Sequence, residues 1–291
     1  LDYLACCIAS VADQKGVSVE HIVQDGGSDG FSEFTQRMEA QWPERPGYRR
    51  VMISESDQGM YDAVNRGMKK AGGSVLAYLN CDEQYLPGAL ARVWARFLAV
   101  PAMEVLFGGV LVVGPDGILI SARKPARLSL PHIMTCHLPN FTCAMFFRKS
   151  LLQGPNAFFD AQWRDCADAL WVIDRLRAKT KLGRIPEFTT AFTDTGANMN
   201  LSPNGLREAR EIRQGAPRLW RWSKPLWVLL HWLGKLWDGS YWPSCVAYEL
   251  YGLKSFDQRI PFFRQSANPF WVQRWFIRER IRWKNRHPAR A

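Results

Sequence analysis

Two acidic loops place carboxylates where they could do chemistry. Asp25 closes one apolar run and opens Asp25-Gly26-Gly27-Ser28-Asp29-Gly30; Asp82 follows Val75-Leu76-Ala77-Tyr78-Leu79 inside Asn80-Cys81-Asp82-Glu83. A carboxylate just past a buried strand can accept from a base or ribose. It can also hold a hard divalent cation, Mg²⁺ or Mn²⁺, that neutralises a pyrophosphate. The pair therefore suits a nucleotide diphosphate. An Asp after a strand is also a common turn former or helix cap, so each residue alone leaves both roles open. Their placement at successive strand ends favours a ligand site.

The elements that must position these loops follow from periodicity. Leu4, Cys7, Ile8 and Val11 share one face of a helix predicted over residues 2–13, which Gly16 ends. Strands are predicted over 17–23, 50–53 and 74–79, with helices over 31–41 and 59–71 and a Gly72-Gly73 stop. This alternation predicts an α/β fold with a mainly parallel sheet flanked by helices and ligands at the strands' carboxyl ends. Both acidic loops fall there. Beyond Pro87 the pattern predicts a helix to about residue 97 and a hairpin of 105–113 with 118–121. A strand over 141–147, a helix over 165–178 and a strand over 184–192 complete it.

Composition sets the limits. A chain of 291 residues with 47% hydrophobic content can bury a sizeable core. Its seven cysteines are irregularly spaced, without a Cys-x-x-Cys pair or a zinc pattern, which predicts free thiols in a reducing cytoplasm. No basic-then-apolar signal region stands at Leu1. The longest apolar stretch, 226–237, is broken by His231, Gly234 and Lys235 and is shorter than the ~20 residues a membrane span needs.

Charge is uneven. Of the net +11, residues 215–291 carry +10, from 14 Lys/Arg against 4 Asp/Glu, together with nine of the thirteen tryptophans. The change near 214–217 predicts a catalytic unit over 1–214 and a basic, Trp-rich helical segment over 215–291. Leu226, Leu229, Leu230, Leu233 and Trp237 share one face of a helix there, and residues 270–283 repeat the theme. Indoles beside Lys/Arg suit an anionic membrane surface, here the inner leaflet; two helices packed on the catalytic unit is the other reading. No nucleic-acid module is recognisable, and no nucleic-acid partner is expected.

Longer motifs sharpen the case. The stretch Glu20-His21-Ile22-Val23-Gln24-Asp25-Gly26-Gly27-Ser28-Asp29-Gly30 resembles the nucleotide-binding loop of family 2 glycosyltransferases. The block from Ser54-Glu55-Ser56-Asp57-Gln58-Gly59-Met60-Tyr61-Asp62 to Asn65-Arg66-Gly67-Met68 resembles the same family, as do Ala71-Gly72-Gly73 and Leu79-Asn80-Cys81-Asp82-Glu83, over roughly residues 1–200. The resemblance implies a GT-A fold, a nucleotide-sugar donor, a divalent metal (Mg²⁺ or Mn²⁺), and usually inverting transfer to a saccharide or lipid-linked acceptor. It implies that Asp25, with Gly26 and Gly27, contacts the nucleotide and that Asp57 and Asp62 flank the pocket. Asn80 takes the first position of an Asp-x-Asp motif, and Asp82 is the metal ligand. The segment from Phe159-Asp160 to Cys166-Ala167-Asp168-Ala169-Leu170-Trp171-Val172 resembles the one carrying the family's general base, pointing to Asp168 with Asp165 in reserve.

This chain departs from the family pattern in three places. It opens inside the helix that follows the family's first strand, so part of the base pocket is expected upstream of Leu1. The Asp25 loop is one residue short, with Phe31 in place of the usual Thr. Glu83 stands where a second Asp is common. His137 resembles an acceptor-side residue or serves as a structural hydrogen-bonder, and Asn65 and Gly67 are read as packing residues. Two other functions share some features: a nucleotidyltransferase, which also uses strand-end carboxylates with Mg²⁺, and a non-enzymatic basic nucleic-acid-binding protein.

Overall fold

The computed structural model describes residues 1–154, 156–196, 202–253 and 255–266. The helix expected over 270–283 lies outside the described residues. The first helix, α1 (Asp2–Ala12), is buried almost all round because its small residues Ala5, Cys6, Ala9 and Ala12 let neighbours approach from every side. Strand β1 (Val19–Asp25) pairs in parallel with β2 (Tyr48–Ser54), with Asp25 opposite Ser54, so both chains leave the pair at one edge. Helix α2 (Phe31–Gln41) lies between them in sequence and buries Phe31, Phe34 and Met38 against Ile8 and Val23.

A second, six-stranded sheet forms the centre of the molecule. It contains β3 (Val75–Leu76), β4 (Glu83–Tyr85), β5 (Val105–Val113), β6 (Leu119–Arg123), β7 (Met145–Arg148) and β8 (Leu182–Thr193). Its strands run β3-β7-β5-β8-β4, with β6 paired to β5. Only the β5–β8 pairing is parallel; the others are antiparallel. The architecture is thus mixed α/β, and the parallel alternation expected from the sequence holds for β1 and β2 but not for most of the central sheet. The 105–113/118–121 hairpin is present, and its short connection permits only antiparallel pairing. Every residue of β5 is buried, and Phe107 on it is flanked in the core by the equally buried Phe146 and Phe147 of β7; each such side chain contributes on the order of 1.5–3 kcal/mol. Strands β5 and β8 approach so closely at Gly108 that a Cβ there would collide with the Thr189 side chain.

The strand expected over 74–79 pairs only at Val75 and Leu76; residues 77–80 run on as single chain to a turn at Cys81-Asp82. Among the described residues, 77–80 have no strand partner on the side facing β1. Strand β1 in turn has β2 as its one partner among the described residues, and its other edge borders the same gap.

The carboxyl-terminal segment is only partly the helical appendage expected. Helices α8 (Arg218–Trp222) and α9 (Lys224–Trp237) are present. Residues 244–266, however, form a hairpin of β9 (Ser244–Gly252) and β10 (Ser255–Ser266). Val246, Tyr248 and Leu250, alternating along β9, join a core with Leu111, Val113 and Ala191. Their two-residue period, hidden by the surrounding Trp and Arg, is a strand signal.

Candidate active site

A cleft of about 2060 Å³ separates the β1 edge from residues 73–83. Asp25, Gly26, Asp57, Asn80, Asp82, Asp165 and Asp168 all border it, whereas Gly27 and Asp62 do not.

Asp25 closes β1 and organises its own loop. Its Oδ2 accepts from the amides of Gly27 (2.9 Å) and Ser28 (2.8 Å) and from the Ser54 hydroxyl (2.7 Å), while Oδ1 accepts from the Ser28 hydroxyl (2.6 Å). Burial pushes this carboxyl upward, but the hydrogen bonds from Ser28, Ser54 and Gly27 outweigh it and hold the pKa below the ordinary value. With both oxygens so engaged, Asp25 shapes the loop that follows β1 and ties β1 to β2. Gly27, at φ 99°, makes the turn possible. Gly26 sits so close to Asp57 that an added Cβ would lie 2.8 Å from Asp57 Oδ2, which brings the loops after β1 and β2 into contact.

Asp57 accepts from the Gly59 amide at 2.8 Å and introduces α3 (Met60–Lys70). Asp62 turns outward: it accepts from the Gln58 amide at 3.0 Å and from Arg66 at 2.7 Å. An i,i+4 pair on an exposed helix face explains Asp62 within the helix itself. Asn65 is a packing residue as expected, its amide donating to the Phe159 carbonyl (2.7 Å) and its oxygen accepting from the Phe159 amide (3.0 Å).

Asn80 and Glu83 form a unit. The Asn80 amide donates to Glu83 Oε2 at 2.6 Å, and Glu83 is 2% exposed. Burial, reinforced by the charge of Asp82, pushes the Glu83 carboxyl up to about 8. Because this folded-state pKa lies above the ordinary 4.5, its stabilising contribution is complete below that value and is lost as pH rises toward 8. Glu83→Gln removes the titration, so the variant is expected to gain on the order of 3 kcal/mol relative to wild type between pH 5 and pH 8. Calorimetric melting curves at both pH values check this; parallel pH dependences in the two proteins would sink it.

Asp82 lies half-buried in the turn, its pKa raised by burial and relieved only by its own backbone amide. No cation of the described residues pairs with it, and no cluster of three or more His, Cys, Asp or Glu among them could hold a metal unaided. One carboxylate shared with phosphate oxygens is a normal Mg²⁺ donor set, so Asp82 fits that role.

Asp168 occupies the first turn of α6 (Ala167–Arg177). Its Oδ1 accepts from the Ala169 amide at 2.7 Å, and Oδ2 from the Thr142 hydroxyl at 3.1 Å. Thr142 itself accepts from the Tyr78 hydroxyl at 2.9 Å, and the Tyr61 hydroxyl lies beside Asp168 and favours its charged form. Burial raises the Asp168 pKa against these hydrogen bonds, which tunes a carboxylate toward general-base work. Asp165 is committed elsewhere. Its Oδ2 accepts from Ser202 (2.7 Å) and Asn204 (2.8 Å), which anchors the start of α7 (Pro203–Gln214). Tyr61, Tyr78 and Thr142 were not singled out from sequence. All three lie inside recognised stretches, but no residue type or spacing marks a hydroxyl that will reach a carboxylate 26 to 107 positions away.

A nucleotide-scale cleft at the carboxyl edge of a sheet, with strand-end carboxylates on one side and a raised-pKa Asp on the other, defines a GT-A-type fold. The chain belongs to glycosyl transferase family 2, whose model matches residues 1–152. A PGL/p-HBAD biosynthesis glycosyltransferase of Mycobacterium bovis is 32% identical over 166 residues, which are 57% of this chain and 61% of that protein. The chain thus spans about three-fifths of the length of that relative. An uncharacterized glycosyltransferase of Nostoc sp. is 24% identical over 224 residues, 74% of this chain and 67% of that one. Among solved structures, S. aureus TarS 1-349 in complex with UDP-GlcNAc superposes with a TM-score of 0.52 at 15% identity, over 72% of this chain and 61% of that one. Full TarS gives 0.51 at 14% identity, over 80% and 41%. These likenesses show a common fold.

Proposed function

We propose that this chain moves a sugar from a nucleotide-sugar donor to a hydroxyl of a saccharide or lipid-linked acceptor, by a single inverting displacement, in surface polysaccharide or glycolipid assembly. The observation that carries the reading is the placement of Asp168, with its raised pKa and its Tyr61–Thr142 support, on the same cleft as Asp82. Asp168 takes the proton of the acceptor hydroxyl as its oxygen bonds to the anomeric carbon. The bond from that carbon to the nucleotide's phosphate oxygen breaks, and the diphosphate leaves with the electron pair. Asp82 would hold Mg²⁺ or Mn²⁺ on the diphosphate. The metal, when bound, supplies charge neutralisation to the leaving group. Asp25, Gly26 and Gly27 set the loop beneath the nucleotide, and Asp57 and Asn80 border it. The mycobacterial relatives are named PGL/p-HBAD biosynthesis glycosyltransferases, which favours glycosyl transfer here, and the TarS structure holds UDP-GlcNAc, which favours a nucleotide-sugar donor.

Residues 1–214 are proposed as the catalytic unit, with 215–291 bringing it to an anionic membrane surface. Leu219 (69% exposed), Trp222 (83%), Leu233 (52%) and Trp237 (85%) project outward from α8 and α9, alongside exposed Arg218, Arg221 and Lys224. Such a contiguous apolar-basic face suits an interfacial helix. Among the described residues, no helix is long and apolar enough to cross a membrane.

One preparation tests both halves. With Mn²⁺, the chain is expected to release nucleotide diphosphate from one member of a panel of nucleotide sugars, and to float with anionic vesicles. Absence of turnover across the panel removes the transferase reading. Equal flotation by a Leu233→Ser/Trp237→Ser variant, altered only at exposed positions, removes the membrane contact.

A further inference from the structure

The wall of the cleft formed by α5 (Leu130–Thr135) and the inner face of α9 is basic. His132 on α5, His137 just after it, Arg123 and Lys124 at the end of β6, and His231 and Lys235 on α9 all border the cleft. The His132 and His231 rings stack with centroids 4.2 Å apart, and His137 stands 5.3 Å from His132. Burial holds all three imidazoles below their ordinary pKa, so they pack as neutral rings and the positive charge of the wall comes from Arg123, Lys124 and Lys235. Burial first, and then the neighbouring charge of Arg123, holds Lys235 down to about 8. His137, open to the cleft, is held down to about 4 by its desolvating walls and by His132, Lys235 and Arg123.

Among the described residues no carboxylate forms an ion pair with Arg123, Lys124 or Lys235, and Asp238, which ends α9, pairs with Arg184 (2.6 Å) and Arg127 (3.7 Å). Lys235 meets the Tyr241 ring, and Arg123 donates to the Ser121 hydroxyl. His132 is 3% exposed, and neither of its ring nitrogens completes a hydrogen bond, although the Trp227 backbone lies beside it. A buried polar side chain without a partner, among desolvated cations on an open cleft, is arranged for a ligand that brings both acceptors and negative charge. The three rings do not form a metal-binding group.

We propose that this α5–α9 wall binds a phosphate or diphosphate group of a ligand other than the donor nucleotide. Given the transferase reading, on which only this step rests, that ligand is the acceptor. The phosphate sits behind the helix whose outer face is apolar and basic, so one helix would meet both a membrane surface and the acceptor's charged group. The two sources of such a group are a lipid headgroup and a soluble phosphorylated sugar.

Inorganic pyrophosphate is the probe, titrated calorimetrically into the full chain without divalent metal, so that Asp82 contributes nothing. Lys235→Gln and His231→Gln are each expected to weaken binding about tenfold or more, as loss of a charge-assisted hydrogen bond should. Lys149→Gln, which removes the same charge from an exposed site off the cleft, leaves it unchanged. Flotation with phosphatidylcholine vesicles, with and without phosphatidic acid, then assigns the source. Loss of the phosphatidic-acid increment in Lys235→Gln and His231→Gln supports a lipid phosphate; an intact increment alongside weakened pyrophosphate binding supports a soluble one. Equal pyrophosphate affinity in all three variants, each melting like wild type, overturns the proposal. Because no donor is present, failure of the transferase reading would leave this result standing.

Discussion

Asp168→Asn is expected to lower sugar transfer by roughly 10²–10⁴-fold, the range for loss of a general base, while nucleotide-sugar binding stays within experimental error. The side chain keeps its size and its place at the start of α6, so the melting temperature should change little. What disappears is the ability to take the acceptor's proton. The pH dependence supplies an independent signature. Burial holds the wild-type carboxyl above the ordinary carboxylate value, so kcat/KM should fall on the acid side at a pH above that ordinary range. Thr142→Val keeps the carboxylate but removes its 3.1 Å hydrogen-bond donor. That limb should then move further toward alkaline pH, whereas a purely structural role would change stability and leave the profile in place. Transfer by Asp168→Asn within about threefold of wild type would remove Asp168 from the mechanism.

Asp82→Ala is expected to abolish the Mn²⁺-dependent thermal shift produced by the donor. In wild type, donor at about a hundred times its Kd stabilises by ~2.7 kcal/mol, a rise of several degrees for a chain of this size. Without Asp82, the diphosphate and the metal lose their shared protein carboxylate, and the rise should vanish. The unliganded variant should melt no lower than wild type, because it sheds a half-buried carboxyl already held above its ordinary pKa with no ion-pair partner among the described residues. A full donor-induced shift in Asp82→Ala, with unchanged Mn²⁺ dependence, would move the metal to another set of ligands. The two variants separate cleanly: Asp168→Asn should bind donor and fail to transfer, and Asp82→Ala should fail to bind.

The carboxyl-terminal segment gives one helix two faces. On α9 the exposed Leu226, Leu229, Leu230 and Leu233 look away from the protein, while His231 and Lys235, interleaved at helical spacing, look into the cleft. The apolar stripe was legible as a periodicity. Its outward orientation was not, because a stripe that packs on a core and one that meets a membrane have the same spacing.

Residue order alone was enough to identify the family, the two acidic loops and the run of alternating elements from α1 to β2, because those signals are local. A glycine turn, a strand-length apolar run or a helical stripe requires only neighbours in sequence. Three things were decided only by tertiary structure. The central sheet is mixed because hairpin and long-range pairings are chosen by which edges meet, as with β5 between β7 and β8. The roles of the acids diverge because burial and partners are set by distant chain: Asp25 is saturated by Ser28 and Ser54, Asp62 turns to Arg66, Asp165 anchors α7, and Asp168 reaches Thr142 and Tyr61. The basic wall exists only because α9 folds back onto α5, bringing His231 to within stacking distance of His132. Type and spacing told where carboxylates could stand; only the packing of remote segments set which of them carry solvent-facing charge, which are spent on structure, and which remain available for chemistry.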